Sequence, residues 1–330
     1  MAVLATTHPT LLDVSRRLDP NGKVDKIVEI LNQTNEVLDD AVWLEGNLPT
    51  GHQSVIRTGL PQPTWRAMYG GVQPTKSTTS KIVDTCGMLE DYAEVDKAVA
   101  DLNGNTAEFR LSEDAAHLEG FNQKFTSTLF YGSEVQTPES FTGFAPRFNS
   151  QGAANGVNII PGSGANNASI WLVVWGPNSV FCVYPKGSKA GLYSEDKGQV
   201  TIENVDGAGG RMEAYRTHYR WDCGLVVKDW RYVVRGQVDT STLTKNAQSG
   251  ADIIDVMTQM LELLPNTVVG RPVFYVNRRI RSFLRRQIVN KVAPGTLAMD
   301  AVAGKRVMVF DDVPVRRCDT LLNTEAVVGA

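Results

Sequence analysis

The stretch Gly46–Thr79 constrains this chain more than any other. Only nine of its 34 residues are apolar (Leu48, Val55, Ile56, Leu60, Trp65, Ala67, Met68, Tyr69 and Val72), about a quarter, against 42% for the whole chain. Four prolines (49, 61, 63, 74) and five glycines (46, 51, 59, 70, 71) interrupt it. Between these breaks, Gln53–Leu60 and Thr64–Tyr69 carry β-branched and aromatic residues and read as two strands, with Pro61-Gln62-Pro63 as a tight reversal. A long, thin hairpin of this kind is marginal in water by itself. Its charges are Arg57, Arg66 and Lys76, with no acid. Too few apolar residues are present for a core of its own. The stretch is therefore either a disordered loop or an arm that packs on another subunit.

The remainder of the 330 residues is ample for one large or two ordinary domains. With 33 basic against 36 acidic residues the net charge is −3, which lacks the strongly basic face of a tight nucleic-acid binder. The longest strongly apolar run, Trp171–Trp175, is far short of a membrane span, and MAVLATTHPT lacks the layout of a secretory signal. Cys86, Cys182, Cys223 and Cys318 are scattered without paired spacing, so free thiols in a reducing compartment are expected.

Taken in order, Asp19-Pro20-Asn21-Gly22 is a turn signal ahead of an amphipathic helix marked by Val24, Ile27, Val28 and Leu31 and continued by Leu38 and Val42. Thr79–Thr85 alternates as a strand. Leu89–Leu102 has helical spacing and is rich in acids. A longer helix is expected over Thr106–Tyr131, with Leu111, Ala115, Leu118, Phe125 and Leu129 as its buried stripe and Gly132 as its C-cap. About 25 helical residues span nearly 40 Å, enough for a spine across a subunit. Residues 149–169, rich in Gly, Asn and Ser, read as a surface loop. Strands follow at Ile170–Trp175, Phe181–Tyr184 and the pair Arg211–Arg220 and Gly224–Val234, with Trp221-Asp222-Cys223 as their hairpin connection. Helices at about Ala251–Leu264 and Val276–Val292 flank the extended piece Pro272–Tyr275. The tail returns to strand at Arg306–Phe310, turns at Asp311-Asp312 and ends in Val313–Cys318, which Pro314 marks as an edge or a bulge. Helices and antiparallel strands in blocks make an α+β fold.

Catalytic candidates are few. Cys223 stands beside Asp222 and five residues from His218, so a Cys–His nucleophile can be weighed, but a buried structural thiol is the better reading. The four histidines (8, 52, 117, 218) lack metal-ligand spacing, so no metal or cofactor is expected. Gly162-Ser163-Gly164 and Gly207-Ala208-Gly209-Gly210 precede strands rather than helices, so both read as plain loops. Arg278, Arg279, Arg281, Arg285 and Arg286 cluster on one helix. The bland reading is a solvated basic face; the sharper one is an interface through Arg278, Arg281 and Arg285 with acidic groups of a neighbour or with nucleic-acid phosphates. The hairpin carries +3, and Asp84–Asp101 carries −5 from six acids less Lys97. This complementarity suggests that the hairpin of one subunit lies over the acidic segment of the next. Arg57, Arg66 and Lys76 would then face Glu90, Asp91 and Glu94, with Trp65, Met68 and Tyr69 supplying most of the energy.

Several segments then give the chain a family resemblance: RRLDPNGKVDKIVEILNQTNEVLDD, WLEGNLPTGHQSVIRTGLP, STTSKIVDTCGMLEDYAEVDKAVADLNGN, FRLSEDAAHLEGFNQ, IWLVVWGP, YPKGSKAGL, YRTHYRWDCGLVVKDWRYVVR, YVNRRIRSFLRRQ and VPVRRCDTLLNTEA. In this order the chain resembles a major capsid protein of tailed bacteriophages, of the short-tailed-phage type with the Hong Kong ninety-seven capsid fold. The resemblance implies an N-terminal arm (1–43) and an extended loop (44–80). It further implies a peripheral domain holding the spine helix (81–135 plus 305–330) and an axial domain (136–304). It implies self-assembly as hexamers and pentamers into an icosahedral head around double-stranded DNA, in a virion assembled in the host cytoplasm. Scaffolding, portal and cement proteins are the expected partners, with weak non-specific contact to packaged DNA and no membrane. Residues 1–18 are too short for the internal scaffolding segment of some relatives, so a separate scaffolding protein is expected. The lysine–asparagine crosslink of one family variant is not carried over to Lys76 or Lys81. The alternatives are a nanocompartment shell of the encapsulin kind and a cytosolic α+β enzyme using Cys223 and His218.

Overall fold

The computed structural model describes residues 33–104, 106–203, 209–245, 250–266, 269–290, 297–302 and 305–329. The predicted helical stripe Val24–Leu31 lies outside them; Leu38 falls in a short helical turn, Val37–Asp40. The chain divides into two compact units.

The larger unit holds Asn35–Gly87, Ser127–Ala190 and Cys223–Ala330. Its centre is strand β5 (Asn167–Trp175), in which all nine residues are buried. A strand buried on both faces needs apolar side chains in both directions, and NASIWLVVW supplies them. β9 (Val233–Asp239) lies antiparallel on one edge of β5, pairing Asn167 with Asp239 through Val173 with Val233. β10 (Arg271–Val276) lies antiparallel on the other, pairing Arg271 with Trp175 through Tyr275 with Trp171. Beyond β10 come β13 (Val313–Arg317), β12 (Lys305–Phe310) and β11 (Leu297–Val302). Asp311 and Asp312 turn β12 into β13 with φ of 48° and 64°, the left-handed pair that a two-residue hairpin turn requires. β13 is not an edge strand: it lies between β12 and β10. Its ladder to β10 begins at Val315, one residue after the donor lost at Pro314.

Even-numbered residues of β5 (Ala168, Ile170, Leu172, Val174) face two helices, Ile253–Glu262 and Arg278–Asn290, through Ile253, Met257, Met260, Ile280 and Leu284. Odd-numbered residues face the opposite layer. Trp171 packs among Phe130, Phe144 and Phe148, with centroids 5.7–6.2 Å away, and the Trp175 indole donates to the Tyr275 hydroxyl at 2.7 Å. In that layer Arg235 is buried. It donates to Glu325 at 2.8 Å, to the Phe148 carbonyl at 2.7 Å and to the Ser169 hydroxyl at 3.0 Å. Glu325 also accepts from Ser169 and from the Tyr131 hydroxyl at 2.5 Å, so the charge pair is hydrogen-bonded on all sides. The Gly/Asn-rich segment expected as a surface loop is anchored here too. Asn158 is buried and donates to the carbonyls of Arg231 and Val233, and Ile159–Ile160 (β4) pairs with β9.

The smaller unit comprises 33–34 of the described N-terminal residues with Met88–Thr126 and Gly191–Asp222. Leu89–Leu102 is strand rather than helix as far as Asp96: β3 runs from Thr78 to Asp96, and only Lys97–Ala100 is helical. Leu89 and Ala93 satisfy either period, but Ala93 and Val95 are buried together, which is the alternation of a strand. Likewise Arg211–Val227 is one continuous strand, β8, and Trp221-Asp222-Cys223 is no turn. Its true hairpin partner is β7 (Tyr193–Glu203).

The spine helix Thr106–Tyr131 is as expected, with the Gly132 N–H returning to the Thr128 carbonyl at 2.8 Å. Its buried stripe differs. Leu111, Ala115 and Leu118 are exposed, whereas Phe109, Phe121, Phe125, Leu129 and Phe130 are buried. Two residues of helix rotate by about 200°, so Leu111 points away from Phe109, which packs on Val95 and Ala100. The helix buries one side near its start and the opposite side near its end.

Removing one member of a buried ion pair strands the other. Glu325→Ala is expected to cost about 3–5 kcal/mol in denaturant unfolding of the subunit. A Glu325→Met/Arg235→Met double variant is expected to lose less than the single change. A loss below about 1 kcal/mol would mean that the pair is dispensable.

Candidate assembly surface

The hairpin is real, but its pairing differs from the sequence reading. β2 (Gly51–Gly59) pairs antiparallel with the start of β3, from Gly51 opposite Thr85 to Gly59 opposite Thr78, with a register shift between Arg57 and Gly59. Thr64–Tyr69 is not a strand. Residues 60–77 form an open connection whose turn is closed by the Gly70 N–H on the Ala67 carbonyl at 3.0 Å. Tyr69 takes a left-handed φ of 62° there. With three prolines and two glycines in this span, neither side could complete a ladder.

The root is fixed by backbone. Asn47 bridges to Gln53 both ways, at 2.7 and 2.8 Å, and the Cys86 N–H donates to the Thr50 carbonyl. A Cβ at Gly46 would stand 2.4 Å from the Gly51 carbonyl oxygen, and one at Gly51 would stand 2.0 Å from that of Asp84. Only glycine lets these strands approach so closely. Below the root, buried Asp84 pairs with Arg147 at 2.7 Å. His52 sits edge-on to Phe181, with centroids 5.3 Å apart. Its Nδ1 is enclosed without a partner among the described residues. Burial pushes the His52 imidazole below its ordinary pKa, Asp84 opposes this, and Lys228 adds to it. Away from the root one flank of β2 is open, facing a cleft of about 740 Å³ towards Lys228–Arg231.

The tip presents apolar groups to solvent. Trp65 and Tyr69 are fully exposed and Met68 is 88% exposed; Leu60, Val55 and Val72 are exposed as well. Scattered apolar residues on a surface mean little, but a run of this size on a thin arm makes it the candidate interaction site. Arg57, Arg66 and Lys76 share the arm and are exposed.

The acidic segment offered as the landing ground is already engaged in its own chain. Asp84 holds Arg147; Glu94 accepts from Arg216 at 2.6 Å; Asp91 meets His117 at 2.6 Å. Glu90 faces Arg220 at 3.4 Å and His218 at 3.5 Å, Asp96 caps Ala98, and Asp101 holds Lys97 at 2.7 Å. The charge complementarity read from composition is therefore largely spent inside the subunit. Sequence alone had little sign of this, because the partners of Glu90 and Glu94 come from β8, more than a hundred residues away, and those of Asp84 and Asp91 are Arg147 and, on the spine helix, His117.

The Cys223–His218 pair is not assembled into a dyad. Five residues apart on one strand, the two side chains point to opposite faces, and His218 stacks on Tyr92 at 4.5 Å. Cys223 is buried, and burial pushes the Cys318 thiol up to about 12. Gly164 belongs to a turn ahead of β5, and Gly209-Gly210 leads into β8, so neither glycine segment opens a helix. Of the basic helix, Arg278 is tied to Asp319 at 3.0 Å and Arg279 to the Thr240 carbonyl at 2.8 Å, whereas Arg281 and Arg285 have no such side-chain tie among the described residues.

The family model for major capsid protein GP7 matches residues 19–329. Among solved structures, the chain is similar to one from bacteriophage Epsilon15, at 35% identity and a TM-score of 0.76, covering 100% of both chains. It is also similar to a chain of the bacteriophage JBD30 capsid, at 11% identity and a TM-score of 0.47, covering 88% of this chain and 93% of that one. A search of curated proteins finds no match.

Replacing Leu60–Ser77 with an Asn-Gly turn is expected to leave the subunit's unfolding free energy within about 0.5 kcal/mol, because nothing in that span is buried; a loss of several kcal/mol would place the tip in the subunit's own core. The root should respond to pH. The folded state lowers the His52 pKa, so the unfolded chain binds the proton more readily. Stability is present above pH 6.5 and falls as pH drops through and below it. Unfolding midpoints at pH 7 and pH 5 should therefore differ more for the native protein than for His52→Gln.

Proposed function

The chain belongs to the family of major capsid protein GP7, which builds the icosahedral heads of phages, and from that premise we propose how its copies join. The hairpin tip of one copy seats on an adjacent copy, with Trp65, Met68 and Tyr69 supplying the buried apolar area. The observation that carries this reading is an anchored arm whose Trp65 and Tyr69 are fully exposed. Aromatic anchors of this kind dominate interfaces once a partner encloses them. Arg57, Arg66 and Lys76 steer the approach. Glu90, Asp91 and Glu94 border the surface where the arm lands but contribute little, since their charges are compensated and exposed pairs are weak. The basic helix that carries Arg278, Arg281 and Arg285 is a separate surface, which meets nucleic-acid phosphates rather than another copy.

In this reading residues 1–43 are an arm, 44–80 the extended loop, 81–135 with 305–330 a peripheral domain, and 136–304 an axial domain. Copies associate as hexamers and pentamers in the host cytoplasm, with scaffolding, portal and cement proteins as partners, and enclose double-stranded DNA that they touch weakly and without sequence preference. Its role is structural, and the burial of the Cys182, Cys223 and Cys318 thiols supports that.

Light scattering on a size-exclusion column with electron microscopy tests the proposal. The native chain, supplied with its scaffolding protein if needed, is expected to give megadalton hollow particles. Trp65→Ala is expected to lose about 2–4 kcal/mol per tip contact and to lower particle yield sharply at a fixed subunit concentration, with the subunit's unfolding midpoint unchanged. Equal particle yield would remove the tip from the interface.

A further inference from the structure

We propose that Arg281 and Arg285 form a phosphate-binding site for the backbone of packaged double-stranded DNA; this rests on the capsid reading above. The structure separates these two arginines from the rest of the basic helix. Arg278 is held by Asp319, Arg279 by a carbonyl, and Arg286 lies over the Phe283 ring at 5.1 Å. Arg281 is half-buried, and its Nε is enclosed with no hydrogen-bond partner among the described residues. Arg285, one turn further on, is exposed and has no ion pair among the described residues.

The surroundings add positive charge. Arg316 and Arg317 of β13 stand near Arg281, and both are already forked on carboxylates: Arg316 on Asp40 at 2.9 and 3.0 Å, Arg317 on Asp319 at 2.6 and 2.8 Å. Glu36, the one acid that offsets Arg281, accepts the Arg317 backbone N–H at 2.9 Å. Among the described residues, five guanidiniums (278, 281, 285, 316, 317) thus face three carboxylates (36, 40, 319), a net of two positive charges; Asp319 and Asp40 pair with Arg278, Arg317 and Arg316, while Arg281 and Arg285 have no ion pair. Burial and the three neighbouring arginines push the Arg281 pKa below its ordinary value, the direction expected of a cation lacking its counter-ion.

An enclosed N–H donor without a partner leaves the guanidinium charge poorly solvated, and an oxyanion that meets the part of Arg281 left open to solvent would offset that cost. The guanidinium fork suits phosphate, and two forks one helical turn apart lie about 6 Å apart along the axis. A neighbour's carboxylate is the other anion available. The acids of Asp84–Asp101 do not supply it, being engaged in their own chain, and DNA offers the denser array, one charge per about 1.7 Å of duplex.

The test is binding of the full-length protein to a short DNA duplex of random sequence across a salt series, with particle formation followed separately by electron microscopy. Each phosphate contact contributes about 0.9 to the slope of log affinity against log salt. Arg281→Gln/Arg285→Gln is expected to lower that slope by about 1.8, removing roughly twelvefold of the affinity lost over a fourfold rise in salt. Arg278→Gln, whose charge is already paired, should change the slope far less. If the double variant fails to fold, exposed Arg285→Gln alone carries the test, with a fall of about 0.9. An unchanged slope overturns the site. An unchanged slope with lost particles assigns the arginines to a neighbour's carboxylates instead, which also overturns it. Failure of the native chain to form particles bears on the shell reading and leaves the salt slope as an independent result.

Discussion

Burial of β5 on both faces is the constraint on which the larger unit depends. A nine-residue strand with no exposed side chain cannot hold its place by ladder hydrogen bonds alone, because either uncovered face would return several large apolar groups to water. Two helices on the even side and an aromatic layer on the odd side follow from that requirement. The polar groups in the odd layer follow in turn. Arg235 stands one position along β9 from Val234, on the side of Trp171, and lies over that ring at 5.1 Å. It needs a buried carboxylate, which Glu325 brings from almost the end of the chain. The C-terminal residues are thus fastened by the charge that the centre could not otherwise accommodate.

Contrast with the hairpin shows how differently one chain can treat its apolar residues. Those in the centre are enclosed to the last atom; those at the tip have nothing of their own subunit to lie on. The root is nevertheless made with care. Glycines at 46 and 51 permit backbone contact, Asn47 locks the register, and Asp84 with Arg147 plants the second strand. In the proposed assembly, a firm root under an unsupported tip would bring the arm to a partner with little of its orientation left to fix, which lowers the entropy cost of association.

The legible parts of this fold were those whose signal is local. Thr106–Tyr131 showed its length and its Gly132 stop, and β5, β10, β12 and the turn at Asp311-Asp312 stood out by composition and punctuation. The arm was legible through what it lacked, a core. The pairing of distant strands was not. Nothing near Glu90, Tyr92 or Glu94 announces that Arg220, His218 and Arg216 will stand opposite them, so that segment looked like an acidic helix rather than half of a charge-matched strand pair. The spine helix misled in the same way. Leu111 and Leu118 do lie on one side with Phe125, but the helix meets different neighbours along its length, and a single stripe cannot express a buried face that changes sides.

That failure also changes what the charges mean. Composition offered a basic arm and an acidic segment, and complementarity between subunits was the simplest inference. Once the carboxylates are matched within the chain, the attraction proposed between copies rests on apolar area at the tip, and charge is left with the secondary task of steering. The same accounting on the basic helix runs the other way. Three of its five arginines are engaged by a carboxylate, a carbonyl or a ring, and the two that remain stand beside others already matched to acids. A shell protein of net charge −3 must not repel its cargo everywhere. Two guanidiniums with no ion pair among the described residues, repeated in every copy, would give many weak, salt-sensitive contacts, enough to hold DNA against a wall without gripping any sequence.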